Sequence, residues 1–311
     1  MSLENVSGSL PVENSGAGPL EQTDEGLRAA EAASANCPPP LAWRDVLTEF
    51  RRLAESFEFS DAAGHTVSGY VLGEGPPLYI LNGLSATPEV QCLLVWLLRE
   101  EFRCVIIEYP EDAASLRQLA DALLLAADRF GDAEFDLFAT SFGSAVALRI
   151  LTQDSSRIRH AVLQGSVNGI RLSWLERCAT WAAQFLPGQM KHLPLFRTAL
   201  QNNHRLWFPP IDPTRWNFLV LNVGSQRIQT VARRLRMLHG IDWTSQLSAL
   251  ETPVFIISSE GEAERHRAAA RLFADCIPIS KDEQISNSGH VPFISHPHRL
   301  ANLIGPFLRD E

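Results

Sequence analysis

Residues Phe135 to Leu148 read FDLFATSFGSAVAL. A run of strand-forming residues halts at Ala-Thr-Ser-Phe-Gly and restarts at once as an Ala- and Leu-rich helix. A strand-turn-helix corner of this kind holds one side chain, here Ser141, in a tight and strained backbone conformation, and small neighbours prevent collision. A serine at such a junction can also be an ordinary helix N-cap. A cap, however, has no need of small residues on both sides, and a nucleophile needs partners elsewhere in the chain.

Working outward, EFDLFAT is one of several short apolar runs separated by helical patterns. AESFEF and TVSGYVLG form an antiparallel pair. PLYILNG, RCVIIEYP, EFDLFAT, IRHAVLQGS and TPVFIIS read as buried strands, and DEQISNS as a last one. Between them, stretches such as SLRQLADALLLAADRF repeat leucine at helical spacing. Strands rich in Val, Ile and Leu on both faces, alternating with helices, predict an α/β fold with about eight strands, mostly parallel, and helices on both faces. From about 170 to 248 the alternation stops. RLSWLERCATWAAQFL, PLFRTALQNNHRLW, DPTRWNFLVLNV and SQRIQTVARRLRMLHG are all helical, so this segment is a helical insertion between two strands. In the last of these Ile228, Val231, Leu235 and Leu238 share a face, and Arg227, Arg233, Arg234 and Arg236 fall largely elsewhere. Trp174, Trp181, Trp207 and Trp216 lie in the insertion, either lining an apolar cover or fixing it to the sheet.

The chain has 311 residues, 45% of them apolar, enough for one large domain with a lid. Residues 1–40 hold six acidic residues, one basic residue and no Phe, Trp or Tyr, the composition of a disordered tail ahead of a domain at 41–311. A net charge of -9 disfavours nucleic acid and anionic membrane as partners and favours small molecules. Five scattered cysteines without a C-x-x-C spacing indicate neither a disulfide framework nor a zinc site, and Cys92 and Cys104 sit in apolar stretches as core residues. No apolar run approaches the roughly 20 residues of a membrane span, and a secretory leader is not expected, so the reading is cytoplasmic. His160, His192, His204, His239 and His266 show no ligand spacing, and no cofactor or metal is implied. His296 and His298 belong to the start of the last helix. Glu108, Glu111 and Asp112 read as a solvated turn. The oligomeric state is not legible.

The partners for Ser141 lie at three strand ends. In L-N-G-L-S, Leu81 to Ser85, a sharp turn at Gly83 would free the backbone N–H of Leu84. The N–H of Phe142 begins the helix after the corner and would point to the same place. Together they form a candidate oxyanion hole. S-N-S-G-H-V-P-F, Ser286 to Phe293, presents His290 on a loop after the last strand, able to take the proton of a hydroxyl that is nearly inert at neutral pH.

These motifs resemble the α/β-hydrolase superfamily over roughly 57 to 308, with the insertion where that superfamily carries its lid. The correspondence runs through Asn82-Gly83-Leu84 for the usual His-Gly-x turn, Ala139-Thr140-Ser141-Phe142-Gly143 for G-x-S-x-G, and Gly289-His290 for the histidine loop. The departures are Ala139 for the first glycine, Asn82 for histidine, and E-Y-P-E-D after the fourth strand. The resemblance implies a triad acid after PVFIIS, where Ser259-Glu260-Gly261-Glu262 offers Glu262, with Glu260 close enough to compete. It further implies a serine hydrolase acting through Ser141, His290 and Glu262 on an ester, thioester or related acyl bond of a small, partly apolar substrate. Tyr109-Pro110, and Ile211-Asp212-Pro213 ahead of an amphipathic helix, are similar to maspardin-like members, which implies a non-catalytic interaction protein instead. Those members lack the histidine kept here at 290. A lyase or C–C hydrolase on the same triad is the third reading.

Overall fold

The computed structural model describes residues 41–60, 64–209, 212 and 214–311, so the tail expected at 1–40 lies outside the described residues. Eight strands form one sheet in the order β1-β2-β4-β3-β5-β6-β7-β8. They are β1 (Glu55–Ser60), β2 (Thr66–Leu72), β3 (Pro77–Leu81), β4 (Arg103–Glu108), β5 (Phe135–Thr140), β6 (Ile158–Gln164), β7 (Val254–Ser259) and β8 (Ser280–Ile285). β1 and β2 pair antiparallel, as does β2 with β4, and every pairing from β4 through β8 is parallel.

The parallel strands are buried on both faces because helices cover both. Leu78, Ile80, Ile106 and Phe138 are as buried as their alternates Tyr79, Leu81, Val105, Ile107 and Leu137. The alternates share a core with α3 (Leu116–Phe130) and α4 (Phe142–Gln153), where Leu119, Leu123, Val146 and Ile150 face the sheet. On the opposite face α1 (Trp43–Leu53) packs on α2 (Cys92–Leu98), and α2 packs on the C-terminal α12 (Pro297–Leu308), whose Phe307 meets Phe255 of β7 at 5.2 Å between ring centroids. α3 starts on Ser115, whose side chain accepts from the Gln118 N–H, and stops at Gly131 with φ 76°. Both are ordinary helix boundaries. The edge strand β8 is exposed along SKDEQ, and its charges discourage pairing with another chain.

Between β6 and β7 the described residues form no strand, apart from the isolated bridges Ile170–His239 and Gln189–Arg227, and the helices are α5 (Trp174–Ala183), α6 (Phe196–His204), α7 (Thr214–Ser225), α8 (Ile228–Met237) and the short α9 (Thr244–Leu247). The remaining helices are α10 (Glu264–Cys276) after β7 and α11 (Pro292–Ser295) just before α12. The expected face of α8 needs one correction. Arg234 does not lie on its polar side; it is 5% exposed, one turn from the equally buried Thr230. The insertion's tryptophans divide. Trp216 is buried edge-on to Phe208, whereas Trp174 and Trp181 are 72% and 56% exposed.

Candidate active site

Because β3, β5, β6, β7 and β8 run parallel, the loops that follow them emerge at one end of the sheet, where ligands bind in open α/β folds. Asn82, Ser141, Gly165, Glu262 and His290 all lie just past these strand ends.

Ser141 sits at φ 51° and ψ -114°, a conformation that costs a non-glycine residue on the order of 1–3 kcal/mol. Its hydroxyl does not cap α4, so the N-cap reading does not account for it. The corner is fixed by backbone instead. Ser141 N–H donates to the Gln164 carbonyl at 2.9 Å, and the Ser141 carbonyl accepts from Ser144 N–H at 2.9 Å and Ser144 Oγ at 2.6 Å. Gly143 is required because a Cβ there would overlap the Leu81 carbonyl, and Gly83 lies close enough that its own Cβ would stand 3.6 Å from Ser141 Cβ. The Asn82–Leu84 turn, the candidate oxyanion turn, is therefore beside the serine. It is held by the Tyr109 hydroxyl, which donates to the Asn82 carbonyl at 3.1 Å, and by Gln91 Nε2 on Asn82 Oδ1 at 3.0 Å. Phe142 opens α4, where the first N–H groups lack helical acceptors and carry the positive end of the helix dipole.

The two glutamates separate cleanly. Glu262, 3% exposed, places Oε1 3.0 Å from His290 Nδ1. The same oxygen accepts from Gln164 Nε2 at 3.1 Å, and Oε2 accepts from Ser259 N–H at 3.2 Å. Glu260 turns to the histidine loop and accepts from Asn287 N–H at 2.8 Å, while Gly261 N–H donates to the Ser288 carbonyl at 2.9 Å. Glu260 thus clips the two loops together, and Glu262 meets the ring. An ionised carboxylate only accepts, so Nδ1 of a neutral His290 carries the proton and Nε2 keeps its lone pair. Among the described residues Glu262 is the hydrogen-bond partner of the ring; the Ser141 hydroxyl is not bonded to it here. Such contacts are commonly loose without substrate.

Gly165 escaped the sequence reading, and Trp207, His204 and His266 were named in it without a place at the site. Gly165, at φ 62°, floors the histidine–glutamate pair: a Cβ there would come within 2.7 Å of His290 Cε1 and 2.8 Å of Glu262 Oε1. Its only signal was a glycine directly after an apolar strand. Trp207, from the insertion, covers Gly261 and Gly289, and a Cβ on Gly289 would meet Trp207 Cβ at 2.7 Å. His266 tilts against His290 with ring centroids 4.4 Å apart, and His204 stands at 6.4 Å. His266 Nδ1 donates to the carbonyls of Gly165 and Ser166 at 3.1 and 3.2 Å, while Nε2 accepts from Arg265 Nε at 3.2 Å. Burial, and secondarily the nearby His290, push the pKa of His266 down to about 3 and that of His204 to about 4. Both stay neutral near pH 7.

Residues 78–303 match the alpha/beta hydrolase family. A 93-residue stretch is 31% identical to a pimeloyl-[acyl-carrier protein] methyl ester esterase of Aromatoleum aromaticum, a match that takes in 30% of this chain and only 37% of that relative. Among solved structures, the chain resembles a hydrolase from Pseudomonas aeruginosa (TM-score 0.71, 16% identity, 82% of this chain and 98% of that one). It also resembles a thermophilic esterase from Thermogutta terrifontis (TM-score 0.70, 19% identity, 83% and 99%). At these identities the structural likeness concerns the fold. Among the described residues no helix is long and apolar enough to cross a membrane.

Proposed function

Given that the chain belongs to the alpha/beta hydrolase family, we propose that it is a serine hydrolase of carboxylic esters or related acyl compounds, working through an acyl-serine. The observation that carries this reading is the Glu262–His290 contact at 3.0 Å, set on Gly165 beside a serine held at positive φ. The methyl ester esterase relative supports an ester as the substrate class.

In this mechanism the Ser141 hydroxyl attacks the carbonyl carbon while His290 Nε2 takes its proton. Glu262 holds the ring and stabilises the imidazolium. The carbonyl oxygen becomes an oxyanion facing the N–H groups of Leu84 and Phe142, each such donor contributing roughly 3–4 kcal/mol to the transition state. His290 then protonates the leaving alcohol, the C–O bond breaks, and an acyl ester remains on Ser141. Water, deprotonated by His290, attacks that ester, and the carboxylic acid leaves as Ser141 recovers its proton. His266 and His204, neutral and close to the ring, add no competing positive charge beside the imidazolium. The helical insertion, about 170–248, acts as the cover of the site, with Trp207 as its seat on the glutamate and histidine loops.

A fluorophosphonate probe tests this directly. The wild-type chain should acquire one covalent adduct on Ser141, and Ser141→Ala should acquire none. Labelling that persists in Ser141→Ala would refute the assignment, and absence of labelling together with absence of ester turnover would leave the interaction-protein reading.

A further inference from the structure

Arg234 is a buried cation whose placement the mechanism above does not explain. It lies on α8, 5% exposed, with Nη1 donating to the Leu84 carbonyl at 3.1 Å and Nη2 to the Tyr109 carbonyl at a long 3.5 Å. Its Nε is buried without a partner, and the guanidinium stands 5.1 Å from the centre of the Tyr109 ring. Among the described residues no carboxylate forms an ion pair with it. Burial lowers its pKa, against a weaker opposing influence from Tyr109, Glu111 and Glu108. Two backbone carbonyls occupy two of its five N–H groups, so donors remain on the terminal nitrogens. Burying a charge without a counter-ion is costly, and an anion at the remaining donors would offset that cost.

Arg234 lines a cavity of about 390 Å³ that reaches Asn82 of the oxyanion turn. Thr230, one turn away on the same helix, shares this wall, as do the amides of Gln189, Gln226 and Gln229. The lining is rich in donors, not in apolar side chains. Its two carboxylates, Glu108 and Glu111, are exposed and already engaged, Glu108 with Ser68 Oγ at 3.2 Å and Glu111 with Arg227 Nη1 at 3.0 Å.

We infer that this cavity receives a carboxylate carried by the substrate, with Arg234 as its counter-charge, so that the preferred esters are half-esters of dicarboxylic acids and not the partly apolar esters expected from the sequence. The inference deepens the hydrolase reading and rests on it. The carboxylate displaces no ion pair, since Arg234 has none to give up. It gains charge-assisted hydrogen bonds to a guanidinium that is itself buried. The same guanidinium fixes the Leu84 carbonyl, so filling the cavity and shaping the oxyanion turn involve one side chain.

The test compares mono-p-nitrophenyl esters of succinic, glutaric and adipic acids with neutral p-nitrophenyl esters of matched length, on the full chain. Wild type should favour at least one of the anionic esters by about 10- to 100-fold in kcat/KM, a preference that shrinks as salt is raised. Arg234→Gln should erase the preference mainly through KM, and Arg234→Lys should retain part of it. Equal turnover of the two series by wild type overturns the inference whatever the variants do. Equal losses on both series in Arg234→Gln overturn it as well, because they mark a residue that only props up the oxyanion turn. In either case Ser141 labelling and ester turnover leave the hydrolase reading standing. Absence of both labelling and turnover removes that reading and this one with it.

Discussion

Ser141 and His290 stand out as candidates in the sequence because each carries its own local signature: small residues around a corner, and a glycine and a proline around a loop histidine. Glu262 and Glu260 were not separable by counting, since they stand two apart on one tight turn and only the direction of each side chain distinguishes them. The structure gives them different partners, and mutations should follow. Ser141→Ala and His290→Ala should each remove at least about 10⁴-fold of the turnover of a short p-nitrophenyl ester, with the double variant little worse, because the pair acts as one unit. Glu262→Gln should cost less than either. Glu260→Gln should stay within about tenfold of wild type, since a glutamine oxygen can still accept from Asn287 N–H at the 2.8 Å contact. Steady-state kinetics on the four variants checks the assignment, and a larger loss at Glu260 than at Glu262 would reverse it.

Among the loops and helices, the insertion is tied to the sheet at the points where the site is built. Trp207 presses on Gly261 and Gly289, the residues directly preceding Glu262 and His290, and Arg234 reaches the carbonyl of Leu84. A Cβ at Gly261 would overlap the Trp207 indole. Gly261→Ala should therefore destabilise the chain by about 1–3 kcal/mol, the usual scale of overpacking, and lower kcat by displacing the carboxylate. Adding Trp207→Ala should recover part of both losses. Thermal unfolding and kinetics on the single and double variants decide it: additive losses would mean that the indole is not what forbids a side chain at 261. The glycines themselves could be seen in the sequence. The reason for them could not, because Trp207 is more than fifty residues from one and eighty from the other.

For the whole molecule, two histidines, His266 buried and His204 half-buried, make the fold sensitive to acid. The pKa of His266 is held down to about 3 and that of His204 to about 4, against 6.5 for an unhindered imidazole. Between pH 6.5 and these values the unfolded chain binds protons that the folded chain refuses. The contribution is complete above pH 6.5 and is lost as pH falls toward 3. From pH 7 to pH 5 each histidine should cost on the order of 1–2 kcal/mol. The Tm should fall over that interval, and the His204→Gln/His266→Gln double variant should show a smaller fall, even from a lower starting Tm. An identical fall in both proteins would place the acid sensitivity elsewhere.

The sequence by itself determined the alternation of strands and helices, the helical insertion, and which two residues are proposed as nucleophile and base from their immediate neighbours, since periodicity and turn chemistry are local properties of the chain. The tertiary structure decided which glutamate meets the histidine, why Gly165, Gly261 and Gly289 carry no side chain, and that Arg234 faces inward. Each of these is a contact between distant segments, made when parallel strands bring their following loops to one end of the sheet, and no spacing along the chain encodes it. The helical period placed Arg234 on the polar side of α8. The fold buries it by offering two backbone carbonyls and a polar cavity.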